Sequence, residues 1–211
     1  MGLLERVGSA QGVKLICGVR LFVRPLEPGK LQQFIVELVE EGEPRAEELV
    51  LLGLLYYSHV LSRYPKDRSE TYELGTKLRQ MIAQLLEEGI WSGSNLIGDA
   101  GVAEQMVLVE DKRQPTGWRE IQAALIKVLP GQELDLALEV PAGVSEPELI
   151  LSVIAVLQAL VKSLPSPGID LLDKALRYLH SYHDEGADFA DPAAARNLAS
   201  RAMREAGGEL F

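Results

Sequence analysis

Two segments of this chain are apolar on almost every side, and they constrain the fold more than anything else in it. Leu49 to Leu61 reads Leu-Val-Leu-Leu-Gly-Leu-Leu-Tyr-Tyr-Ser-His-Val-Leu, and Leu149 to Val161 reads Leu-Ile-Leu-Ser-Val-Ile-Ala-Val-Leu-Gln-Ala-Leu-Val. A helix that is apolar all round belongs in the interior of a protein. The second segment is shorter than the roughly 20 residues a membrane span needs and is interrupted by Ser152 and Gln158, so it reads as a buried helix. The rest of the chain must therefore cover two central helices. A chain of 211 residues is long enough, because about 70% of its unfolded surface can be buried.

The signals around these segments set their limits. Pro44 opens the first helix, Glu47 and Glu48 suit its positive end, and Pro65 stops it. Ser145 with Glu148 forms a capping box at the start of the second. Just before it, Leu134, Leu136, Leu138 and Val140 alternate with Asp135, Ala137 and Glu139, the pattern of a strand with one buried face. This strand is expected to pack against the helix carrying Leu149, Ile150, Val153, Leu157 and Leu160. Val13 to Val23, broken by Gly18, reads as a strand or a pair of short strands, and Met106 to Val109 as a strand. Leu31, Phe34, Ile35, Leu38 and Val39 recur at helical spacing, which predicts a helix from Lys30 to Gly42. Trp118, Ile121, Leu125 and Val128 are spaced for a short helix, with a strand as the alternative.

Further helices are expected at about Ser69 to Glu88, Ile169 to Tyr182 and Pro192 to Glu205, the last capped by Asp191. Gly89 to Ala103 reads as an irregular loop, and Pro165 to Gly168 as a break. Strands and helices do not alternate strictly, so the expected class is α+β: helix-rich, with a small sheet of three to four strands packed against apolar helices. One domain over 1–211 is expected, with a possible subdivision into 1–100 and 101–211.

Charge and cysteine content exclude some functions. Thirty-one acidic against 21 basic side chains leave a net charge of −10, which repels nucleic acid. The first 24 residues carry Arg6, Lys14, Arg20 and Arg24 against Glu5, a local +3 that reads as solvated or ion-paired charge. Glu37, Glu40, Glu41, Glu43, Glu47 and Glu48 form an acidic cluster whose default is solvation. The single cysteine, Cys17, excludes an internal disulfide, fits a reducing compartment and reads as a buried inert thiol. The start of the chain resembles neither a secretory nor a myristoylation signal. A cytoplasmic location and no association with nucleic acid or membrane are the expectations.

The residues that can carry chemistry are few. His180 and His183 lie three apart on one helix face, followed by Asp184, Glu185, Asp188 and Asp191. Two imidazoles with carboxylates can hold a divalent metal, and His180, His183 and Asp184 are the candidate ligands. The competing reading is a solvated helix end, since no recognised zinc or di-iron spacing is present. His59, alone in the first apolar helix, reads as a hydrogen-bonded core residue. The Gly- and Ser-containing run from Trp91 to Gly101 lacks the ending of a phosphate loop and any nucleophile elbow.

Three functions follow. The first is a non-enzymatic interaction, structural or regulatory protein acting through homo-oligomerisation or a protein partner. The second is a metal-dependent hydrolase or metal-binding protein using His180 to Asp191. The third is a small-molecule sensor whose pocket lies between the sheet and the central helix, near Tyr56, Tyr57 and His59.

Overall fold

The computed structural model describes residues 1–65, 69–87, 106–109, 115–131 and 133–209. Its elements are α1 (Leu3–Ser9), β1 (Val13–Val23), β2 (Gln32–Glu40), α2 (Ala46–Leu61), α3 (Ser69–Glu87), β3 (Met106–Leu108), β4 (Arg119–Val128), β5 (Glu133–Glu139), α4 (Glu146–Ser163), α5 (Ser166–Asp184) and α6 (Pro192–Glu205). The expected loop from Gly89 to Ala103 falls outside the described residues.

The fold is α+β. The sheet runs β3-β2-β1-β4-β5. Four strands are antiparallel, and the short β3 joins β2 in parallel as a fifth. On one face Val19, Leu21, Phe34, Ile121, Leu125 and Leu136 meet α2 and α4 in a continuous core. The helices α3, α5 and α6 pack on the outside of those two. The other face is partly covered by α1, where Leu4 and Val7 meet Leu15 and Ala124.

The two apolar helices take the central places their composition requires. Every residue from Leu149 to Val161 is buried, and from Leu49 to Leu61 only His59 is not. Gly53 lets them approach closely, since a Cβ there would lie 2.7 Å from Leu160 Cδ1. The capping box of α4 forms as expected: Ser145 Oγ accepts from Glu148 N at 3.3 Å, and Glu148 accepts from Ser145 N at 3.2 Å. Asp191 accepts from Ala193 N at 3.2 Å and caps α6.

Four expectations are corrected. The segment from Lys30 to Gly42 is not a helix but contains β2, with Phe34, Val36 and Leu38 turned to the main core. The segment from Trp118 to Val128 is also a strand, β4, rather than a helix. Pro165 to Gly168 is a shorter break than expected, because α5 already starts at Ser166 with Pro167 and Gly168 in its first turn. Finally, α4 does not pack chiefly on β5. It lies over β1 and β2, and α2 is the helix that covers β4 and β5.

Three of the four basic residues near the start of the chain are paired. Arg6 meets Glu139, Arg20 meets Glu120 at 2.7 Å, and Arg24 meets Glu27 at 3.1 Å. Arg6 lies in α1, a helix the sequence reading missed.

Candidate functional site

Leu55, Ser58 and His59 share one face of α2 by helical spacing. Pro192, Ala195 and Arg196 do the same on α6. These two faces meet Asp135 and Leu136 of β5 around a cavity of about 170 Å³. Each polar group there has a distinct status. Ser58 is 1% exposed, and its hydroxyl has no hydrogen-bond partner among the described residues. A hydroxyl buried in that state costs about 1–3 kcal/mol. The His59 ring is half-buried and makes no hydrogen bond among the described residues. Burial is the main cause that holds its pKa below the ordinary histidine value; Arg63 adds to the effect and Asp135 opposes it. The imidazole is therefore neutral at pH 7, with one ring nitrogen a donor and the other an acceptor.

Asp135 and Arg196 complete the wall. Arg196 Nη1 donates to Asp135 Oδ2 at 2.9 Å. The other carboxylate oxygen accepts from the backbone N–H of Leu136 at 2.8 Å. Since β5 is the last strand of the sheet, that amide lies on a sheet edge, and Asp135 occupies a donor that an added strand would need. Serine, histidine and aspartate thus meet at one cavity without forming a nucleophile, base and orienter, because the Ser58 hydroxyl is not bonded to the imidazole.

The predicted metal residues lie apart from this cavity, on and after α5. His180 Nε2 and the Tyr57 hydroxyl share a hydrogen bond of 3.0 Å. Burial pushes the His180 pKa down to about 4. His183 is buried and stacks on Phe189, with ring centroids 5.2 Å apart. Among the described residues no group of three or more His, Cys, Asp or Glu side chains is arranged to hold a metal ion. A second cavity of about 320 Å³ borders His183, Asp188 and Tyr64. Two of the residues there have these contacts: Asp188 accepts from Ala190 N at 2.8 Å, and the Tyr64 hydroxyl donates to Glu146.

The other candidates are core residues. Tyr56 is fully buried, with its hydroxyl 2.9 Å from Ser152 Oγ. Cys17 is fully buried, and burial pushes its thiol pKa up to about 12, so it carries no thiolate at neutral pH. Sequence reasoning singled out His59 but missed Ser58, Asp135 and Arg196 as its companions. Their convergence depends on α6 crossing α2 beside the sheet edge, and no local spacing encodes that. Gln158, read only as an interruption, is 1% exposed with neither amide atom hydrogen-bonded.

The chain matches no family model, no curated protein and no solved structure. Function must therefore be argued from the geometry itself. No helix among the described residues is long and apolar enough to cross a membrane.

Proposed function

We propose that this chain is a small-molecule-binding regulatory protein, acting by holding a polar ligand in the cavity between α2, β5 and α6. One observation carries the reading: Ser58, whose buried hydroxyl has no partner among the described residues, borders a cavity shared with His59 and the Asp135–Arg196 pair. Small-ligand sites combine apolar walls with a few convergent polar groups, and here Leu55, Leu136 and Ala195 supply the walls. The absence of a bond between Ser58 and His59 favours binding over turnover. The metal-dependent hydrolase reading has less support, because no three ligating side chains converge among the described residues. A buried lone cysteine is consistent with action in the cytoplasm.

The test is a screen of small polar compounds by ¹H–¹⁵N NMR on the whole chain. Binding compounds should perturb the amides of Ser58, His59, Leu136 and Arg196 together. If no compound moves these four resonances, the reading is wrong.

A second reading, a protein acting through a second copy or another protein, draws on the hairpin between β1 and β2. Leu26 and Leu31 there are 59% and 42% exposed. The apolar helices do not support it, since α2 and α4 bury their apolar residues within the monomer. Light scattering at twice the chain's mass, reverting to one chain's mass in Leu26→Glu, would favour assembly. A monomer at high concentration would end the homo-oligomer form of it.

A further inference from the structure

We propose that the ligand of this cavity is a small zwitterion of the amino-acid class, its carboxylate on Arg196 and its ammonium on Asp135. The inference rests on the binding reading above and goes beyond it by naming the ligand's chemistry. Its basis is the charge arrangement of the wall. Arg196 and Asp135 face each other at 2.9 Å, and their side chains keep 30% and 40% of their surface exposed. A ligand can therefore reach both charges. A guanidinium has five donor hydrogens in a fixed fork, so one bond to Asp135 leaves others for a carboxylate. Asp135 is fixed independently through the Leu136 amide. It keeps its place when Arg196 turns toward a ligand.

Charge balance then selects the ligand. A simple anion drawn to Arg196 meets the Asp135 carboxylate beside it. A simple cation drawn to Asp135 meets the guanidinium. Each like-charge encounter discriminates against a singly charged compound. A zwitterion replaces one ion pair by two and leaves the net charge of the site unchanged. The remaining groups suit a short polar side chain, because Ser58 and His59 each offer both a donor and an acceptor and neither side chain has a hydrogen-bond partner among the described residues. A space of about 170 Å³ has room for a backbone and a few side-chain atoms.

The experiment is isothermal titration of the whole chain with four probes: L-serine, L-alanine, acetate and methylammonium. L-serine should bind saturably, L-alanine more weakly, and the two singly charged compounds not at all. Arg196→Gln and Asp135→Asn should each weaken L-serine about tenfold or more, the equivalent of losing one charge-assisted contact. Ser58→Ala leaves the ion pair intact and removes only the unpartnered hydroxyl. It should weaken L-serine while leaving L-alanine unchanged, and it keeps the test available if a charge variant fails to fold. Acetate or methylammonium binding as tightly as L-serine overturns the zwitterion inference and leaves the binding reading standing. The same holds if the amino acids are inert while another compound of the NMR screen perturbs Ser58 and Arg196. If neither the four probes nor the screen gives binding, both readings fall.

Discussion

His180, singled out by its spacing from His183, is tied into the core by a tyrosine. Its spacing from His183 suggested a ligand pair, yet its ring nitrogen meets the hydroxyl of the fully buried Tyr57. The consequence is a pH dependence of stability. In the unfolded chain a histidine titrates near 6.5, whereas the folded site holds His180 at about 4. Above pH 6.5 both states are neutral and the contribution is complete. As pH falls toward 4, the unfolded chain takes up a proton that the folded site refuses, so stability is lost. The limiting slope is about 1.4 kcal/mol per pH unit, and the total is on the order of 3 kcal/mol. His59, also held below its ordinary value, adds a slope of the same sign. Urea denaturation at pH 7, 5.5 and 4.5 checks this. His180→Gln, which does not titrate, should lose less stability over that range than the native chain. Equal slopes would mean that His180 is protonated in the folded protein.

Among the elements, legibility depended on how many faces each one buries. β5 was read correctly because it is an edge strand with a polar side, and its alternation survives in the sequence. β2 and β4 were misread because both faces of the sheet carry apolar residues there. In β4, Ile121, Ala123 and Leu125 face the main core while Ala124 and Ile126 face α1. Once alternation is lost, an apolar set matches helical spacing by accident. Only the β-branched and aromatic enrichment of Phe34-Ile35-Val36 pointed toward a strand. The helix α1 was missed because it is only seven residues long. The register of β5 can be tested by two neighbouring substitutions. Leu136→Ala removes a buried side chain, 8% exposed, and should cost about 2–5 kcal/mol. Asp135→Ala breaks a half-exposed ion pair and one edge hydrogen bond and should cost about 1 kcal/mol or less. Thermal melts that reverse this order would place the wrong face of β5 against α2.

At the scale of the whole molecule, the open question from sequence was which helix lies over which strands. Apolar stripes do not answer it, since any apolar stripe fits any apolar face. The answer lies in polar contacts that only one arrangement satisfies. The cavity is one such place, because Arg196 of α6 finds Asp135 only where α6 reaches the β5 edge. The position of α4 is set in part by another. Glu148 in its first turn is 6% exposed, and Arg119 at the start of β4 lies 3.5 Å from its Oε2. The same carboxylate oxygen accepts from Ser145 N, so one buried charge both caps the helix and ties it to the sheet. Removing Arg119 leaves that charge without a cationic partner, and breaking a buried pair from one side costs more than the pair contributes as a whole. Arg119 is partly exposed, which reduces the penalty, so Arg119→Gln should destabilise the chain by about 1–3 kcal/mol. The double variant Arg119→Gln with Glu148→Gln should cost less than the sum of the two single variants, by about 1 kcal/mol, because neither leaves a lone charge once both are gone. Urea denaturation of the four proteins gives the coupling. If the costs add, the contact does not anchor α4, and its place over β1 and β2 is set by apolar packing alone.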